Sequence, residues 1–205
     1  MSTITVVKKN GIAAMAADTL TKWGYAKESA TYVSNHEKIL RLGDNYIGVA
    51  GSATAEHAIR DYFGRRKQQP RLQNATQIFR VFTDLHRALK DDYFLNPKDD
   101  DEDAYESSRS DVLILSEWGI FGVDSYRCVQ EFTKFYAYGG GCEYALGAMY
   151  AAYDGDLSAE ELARLGVEAS AEFDDSTGLP VTSYSVRLRP ARRSRATTNR
   201  TNRRG

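Results

Sequence analysis

Apolar and polar positions along this chain change their spacing in blocks, and the blocks predict the elements. Thr3 to Lys8 is rich in β-branched residues and runs into Asn10-Gly11. Asn-Gly between two apolar runs is a strong hairpin signal, because a tight turn needs positive φ at both positions. The partner strand is Ile12 to Ala17, closed by Asp18. A polar stretch from Thr19 to Ala30 leads to an extended segment near Thr31-Tyr32-Val33. Lys38 to Leu42, then Gly43-Asp44-Asn45, then Tyr46 to Ala50 predict a second hairpin.

The spacing then becomes helical. Thr54 to Lys67 and Ala75 to Asp92 are predicted helices, the second with Ile78, Val81, Phe82, Leu85 and Leu89 along one face. Residues 96–108 contain the acidic run Asp99, Asp100, Asp101, Glu102 and Asp103, read as a solvated loop without the glycine and spacing of an EF-hand. Strand patterns return at Val112 to Leu115, Ile120 to Val123 and Thr133 to Tyr138. Gly139-Gly140-Gly141 opens a helical run from Cys142 to Tyr153. Ser158 and Glu161 form a capping box that launches a helix to about Phe173, and Val181 to Leu188 alternates as a closing strand. Strand and helix blocks segregated in this way predict an α+β fold, two packed antiparallel sheets covered by helices.

The charge balance sharpens the picture. The net charge is −1, yet residues 187–205 carry eight Arg and no acid. The body keeps 19 basic and 28 acidic side chains, a net of −9, and has no general affinity for nucleic acid. Nucleic acid is not an expected partner, and the Arg-rich tail, the one segment that could contact it, is expected to be disordered. Cys128 and Cys142 stand outside any CxxC pair, so neither a zinc site nor a disulfide framework is expected. No metal or other cofactor is expected. No stretch approaches the roughly 20 apolar residues of a membrane span, and the start lacks a signal-peptide pattern. The expected location is the cytoplasm.

Ser2 carries the candidate chemistry. A small second residue favours removal of Met1, which would leave an α-amino group and a hydroxyl on one residue. An α-amino group has a reference pKa of about 7.7–8.0, so much of it is neutral near pH 7 and can take the hydroxyl proton. Taken alone, Met-Ser is an ordinary chain start. His36, His57 and His86 stand at unrelated positions and are assigned no role.

The surrounding residues give Ser2 its context. Ser2-Thr3-Ile4-Thr5-Val6-Val7, Lys8-Lys9-Asn10-Gly11, an apolar strand and Asp18 sixteen positions after Ser2 resemble the opening of proteasome β-subunits. The likeness is greatest to the bacterial peptidase HslV and related bacterial proteasome homologues. Glu37-Lys38-Ile39-Leu40-Arg41-Leu42 resembles the family's strand after its catalytic lysine, with about four extra residues between Asp18 and Lys38. Ile47-Gly48-Val49-Ala50-Gly51 resembles the segment whose first glycine donates to the oxyanion. Gly139-Gly140-Gly141 resembles a Gly-Ser-Gly turn, and Asp174 to Gly178 resembles an acid-x-x-Ser/Thr-Gly motif. The likeness spans residues 2–186, leaving 187–205 as the tail.

The resemblance implies a four-layer αββα sandwich and a catalytic set of Ser2, Asp18, Lys38 and Gly48. It implies Asp174, Thr177 and Gly140 around that set, and Leu20, Thr21, Tyr46 and Ala50 against the substrate, with Tyr46 at the floor of the pocket before the cut. Two residues depart from the family pattern: Ser2 stands where Thr is usual, and Gly140 where a Ser is usual. The implied activity is endopeptidase cleavage of unfolded polypeptides inside a stacked double ring of 12 or 14 identical subunits. An ATPase unfoldase would feed it. Two other readings stand beside this one: a proteasome-fold ring serving as a binding scaffold, and a terminal-nucleophile hydrolase of small amides.

Overall fold

β-branched residues that are buried on both faces of a strand mark the centre of this molecule. In the computed structural model, which describes residues 2–98 and 103–190, the first hairpin pairs β1 (Thr3–Lys9) with β2 (Ile12–Ala17). Asn10 and Gly11 turn it, both at positive φ. β1 sends Ile4 and Val6 to one side and Val7 to the other, and every one of them is fully buried. Such a strand needs a layer on each face.

The layers follow in chain order. β3 (Thr21–Trp23) and β4 (Ala26–Glu28) make a small exposed hairpin. β5 (Ile39–Leu42) and β6 (Asn45–Gly51) pair next, followed by α1 (Ala53–Gly64) and α2 (Ala75–Asp91). Then come β7 (Ser110–Ser116), β8 (Gly119–Val123), β9 (Val129–Phe132), β10 (Phe135–Gly139), α3 (Cys142–Ala152), α4 (Ala159–Phe173) and β11 (Thr182–Arg187). One sheet has the order β10-β1-β2-β11 and the other β5-β6-β7-β8-β9, and all their pairings are antiparallel.

Three apolar layers hold the sandwich. Ile4, Val6, Met15, Leu113, Leu115 and Ile120 fill the space between the sheets. Ile47, Val49, Ile114 and Phe121 meet Ile59, Phe63, Phe82 and Leu85 of α1 and α2. Val7, Ala14 and Ala16 meet Ala145, Met149, Leu162 and Val167 of α3 and α4. The small side chains of β2 let α4 approach closely. Thr5 donates its hydroxyl to Ala163 O at 2.8 Å, and a Cβ on Gly166 would stand 3.1 Å from Thr5 Cγ2. The result is an αββα sandwich, with β1 at the centre of the second layer.

Some local expectations are corrected. The segment near Thr31-Tyr32-Val33 is a turn, and the extended backbone lies earlier, in β3 and β4. β9 is an additional edge strand. Arg187 ends β11, and the next two residues stay packed: Leu188 N–H donates to Gly11 O, and Arg189 pairs with Glu117 and lies over the Trp118 ring. Most of the Arg-rich tail and of the acidic run, residues 191–205 and 99–102, lies outside the described residues.

Candidate active site

Hairpin geometry explains why Asp18 stands beside the start of β1, the strand that follows Ser2 in sequence. Ile4 faces Ala17 across the β1–β2 ladder, so Thr3 faces Asp18 one step beyond. Thr3 and Asp18 close that step: Asp18 N–H donates to Thr3 O, and Thr3 N–H donates to Asp18 Oδ1 at 3.0 Å. The sixteen-residue spacing is thus the arithmetic of a two-residue turn.

Asp18 is fully buried and saturated. Its Oδ1 accepts from Lys38 Nζ at 2.8 Å as well as from Thr3 N–H. Its Oδ2 accepts from Leu20 N–H at 3.0 Å and Gly178 N–H at 3.2 Å. Lys38 stands just before β5, in the other sheet, and is 5% exposed. The ammonium also donates to Leu20 O at 2.5 Å. A buried ion pair costs desolvation unless further hydrogen bonds satisfy it, and these do.

A second network grips the peptide that follows Ser2. Gly140 N–H donates to Ser2 O at 2.9 Å. The turn can approach this closely because Gly139 has φ +107° and no side chain: a Cβ there would fall 1.6 Å from Ser2 O. Gly141 N–H donates to Thr3 Oγ1 at 3.1 Å, and the hydroxyls of Thr3 and Thr177 lie 2.7 Å apart. Asp174 Oδ2 accepts from Thr177 at 2.5 Å and from Ser176 at 2.7 Å. Burial pushes the Asp174 carboxyl up, but the hydroxyls of Thr177 and Ser176 pull it further down, leaving it below its ordinary range.

Two cavities, each of about 350 Å³, meet at Ser2 and Gly51. The first also has Leu20, Thr21, Lys38, Val49, Ser52 and Glu56 in its wall. The second also has Ser107, Arg109, Asp111, Ser125, Ala50 and Gly139 in its wall. Burial raises the Asp111 carboxyl above its ordinary range.

The structure therefore brings Ser2, Asp18, Lys38, Leu20 and Thr21 together, with Asp174, Thr177 and Gly140 beside them. Ala50 reaches the second cavity. Gly48 and Tyr46 are not brought to the first. Gly48 sits mid-strand between Ile39 and Leu113, and a Cβ there would stand 2.6 Å from Ile4 Cγ2, in the layer between the sheets. Tyr46 stacks on Tyr184 at 4.6 Å, with Arg41 over its ring. The residues of β6 on the cavity are Val49 and Gly51, one step out of phase. The signal that finds them is the end of the strand: Gly51 directly precedes Ser52, the N-cap of α1. Thr3, whose N–H joins the Asp18 network and whose hydroxyl joins the second, carries no sequence signal beyond its place beside Ser2.

Two antiparallel sheets between helix pairs, with the start of a central strand at a cavity, form the sandwich of the N-terminal nucleophile hydrolases, as in proteasome β-subunits and HslV. Among solved structures, the BPH of Thiobacillus denitrificans is 56% identical, with a TM-score of 0.88, and the match covers 92% of this chain and 99% of that one. The same protein in complex with epoxomicin matches at 55% identity and a TM-score of 0.86, over 92% of this chain and 100% of that one. The chain belongs to this family, the bacterial proteasome homologues. Eukaryotic HslV from Trypanosoma brucei shares the fold at 21% identity and a TM-score of 0.61, over 89% of this chain and 98% of that one. No protein-family profile and no curated protein sequence matches the chain. No helix among the described residues is long and apolar enough to cross a membrane.

Proposed function

We propose that the chain is an endopeptidase subunit whose nucleophile is Ser2 once Met1 is removed. The observation that carries this reading is the meeting of Ser2 in the wall of one cavity with Lys38, whose ammonium is paired to the buried Asp18.

The chemistry runs as an acyl transfer. Ser2 Oγ attacks the peptide carbonyl and gives its proton to the Ser2 amine. The positive charge of Lys38, in the wall of the same cavity, favours the alkoxide and the neutral amine. Asp18 fixes that ammonium in place. The amine proton then passes to the leaving nitrogen, the C–N bond breaks, and a Ser2 ester remains. Water attacks the ester and releases the second product. Gly51, at the junction of the two cavities, replaces Gly48 as the oxyanion donor, a contact worth about 3–4 kcal/mol in other hydrolases. Val49 replaces Tyr46 in the wall that meets the substrate residue before the cut.

The family relationship supports a closed homo-oligomeric ring with the cavities facing its interior. Enclosure suits an enzyme that reads main chain more than side chain. The double ring of 12 or 14 subunits, the unfolded polypeptide substrate, the cytoplasmic setting and an ATPase feeding the ring belong to this proposal.

The test uses epoxomicin, because the Thiobacillus denitrificans BPH forms a complex with it. Intact mass is expected to show loss of Met1 and one epoxomicin adduct per chain on Ser2. Ser2→Ala is expected to take up none and to cleave no unfolded casein. A wild-type chain that lacks Met1 yet stays free of adduct overturns the peptidase and leaves the scaffold reading. An adduct without casein cleavage points to small amides.

A further inference from the structure

We infer that the Thr3 hydroxyl is a positioning group for Ser2, tying β1 to the Gly139–Gly141 turn that grips the Ser2 carbonyl. The inference rests on the reading of Ser2 as nucleophile.

The direction of each hydrogen bond can be assigned. The Asp174 carboxylate only accepts, so the Thr177 hydroxyl spends its proton there, at 2.5 Å. Thr177 Oγ1 must then accept from Thr3, 2.7 Å away. Thr3 Oγ1, its own proton committed, accepts from Gly141 N–H at 3.1 Å. The chain has one polarity, from Gly141 through Thr3 and Thr177 to Asp174. Both hydroxyl residues are buried, Thr3 at 0% and Thr177 at 4% exposure.

This chain ends on the backbone that holds the nucleophile. Gly141 is the residue after Gly140, whose N–H grips Ser2 O. On the opposite side, Thr3 N–H donates to Asp18 Oδ1. The Ser2–Thr3 peptide unit is therefore held by its carbonyl, its N–H and the next side chain, from three separate segments. A Cβ at Gly141 would stand 2.5 Å from Thr3 Oγ1, so the turn and the hydroxyl are fitted to each other. Removing the hydroxyl frees the Gly141 end of the turn, and with it the seat of Ser2. Displacements near 1 Å at a nucleophile cost about 100-fold in rate.

The test is the reaction of the full chain with epoxomicin, resolved into the binding constant KI and the inactivation rate constant kinact. Thr3→Val keeps the shape and removes the hydroxyl. It is expected to lower kinact about 10- to 100-fold while KI stays within about threefold. Thr3→Ser keeps the hydroxyl and is expected to stay within about threefold of wild type on both. Thr177→Val cuts the same chain one link further and is expected to lower kinact in the same direction. It also decides the matter if Thr3→Val does not fold. Wild-type kinact in both valine variants overturns the inference, as does a loss that Thr3→Ser shares in full, which assigns the effect to packing. An inert wild type lacking Met1 overturns the nucleophile reading itself, and is distinguished because no variant is needed to see it.

Discussion

Asp18 holds Lys38 with an oxygen that it also gives to the backbone of β1: Oδ1 lies 2.8 Å from Lys38 Nζ and 3.0 Å from Thr3 N. The pair joins the two sheets at the end of the sandwich where the chain starts. It is asymmetric. Without Lys38, Asp18 still has three backbone donors, Thr3, Leu20 and Gly178. Without Asp18, the ammonium keeps the single carbonyl of Leu20.

This asymmetry sets two substitutions apart. Asp18→Ala is expected to cost about 3–5 kcal/mol, because it strands a buried charge and three N–H groups. Lys38→Met is expected to cost clearly less in chemical denaturation and to abolish epoxomicin uptake while the fold survives. Equal losses from the two would contradict this account.

Two glycines provide a steric contrast. Gly139→Ala places a methyl 1.6 Å from Ser2 O at a φ of +107°, and is expected to lose the adduct and lower thermal stability. Gly147 on α3 has open space at its Cβ position, so Gly147→Ala is expected to be neutral or to stabilise by up to about 1 kcal/mol. Thermal unfolding of both variants checks the pair.

Substrate preference separates Val49 from Tyr46. Val49→Gly opens the wall of the first cavity and is expected to shift casein cleavage toward larger residues before the cut. Tyr46→Ala removes a stack on Tyr184 and is expected to leave that preference unchanged while lowering stability. Mass spectrometry of the casein fragments reads the shift. Were Tyr46→Ala to change the preference and Val49→Gly not, the assignment of the cavity wall would be wrong.

Asp174 makes stability depend on pH with a definite sign. Its carboxyl lies below the ordinary range when folded, so the unfolded chain binds the proton more readily. The stabilisation is present above the unfolded carboxylate pKa of about 3.9 and is lost as pH falls through the folded value. The stability difference between wild type and Asp174→Asn is expected to be largest at neutral pH and to shrink toward about pH 3. A difference that grew on acidification would reverse the sign.

The hairpin around Asn10-Gly11 and the capped helices were legible because their rules are local. Turn chemistry and apolar spacing sit within a few residues of the element they specify. β3 and β4 escaped because Lys22, Trp23, Ala26 and Lys27 bury no common face, so no period-two pattern forms; Gly24 at φ +56° was their one turn signal. β9 escaped for a similar reason, with Gln130 and Glu131 exposed on an edge. In β6 the strand was legible but its phase was not. The resemblance pointed to Gly48, but the phase is set by Ile4 and Met15 packing against it from the other sheet, which leaves Gly51 at the cavity. Contacts such as Gly140 with Ser2 depend on how β10 docks on β1, which no short window contains.

The distance along the chain between the partners that hold the Ser2–Thr3 peptide has a bearing on timing. Thr3 and Thr177 are separated by 174 positions, and Thr3 and Gly141 by 138. A polypeptide still being made can hold its candidate nucleophile only by the local pairing of Thr3 with Asp18, and the last clamp arrives only when the final helix and its trailing turn have emerged. With Ser2 as the proposed nucleophile, competence is deferred to the finished fold.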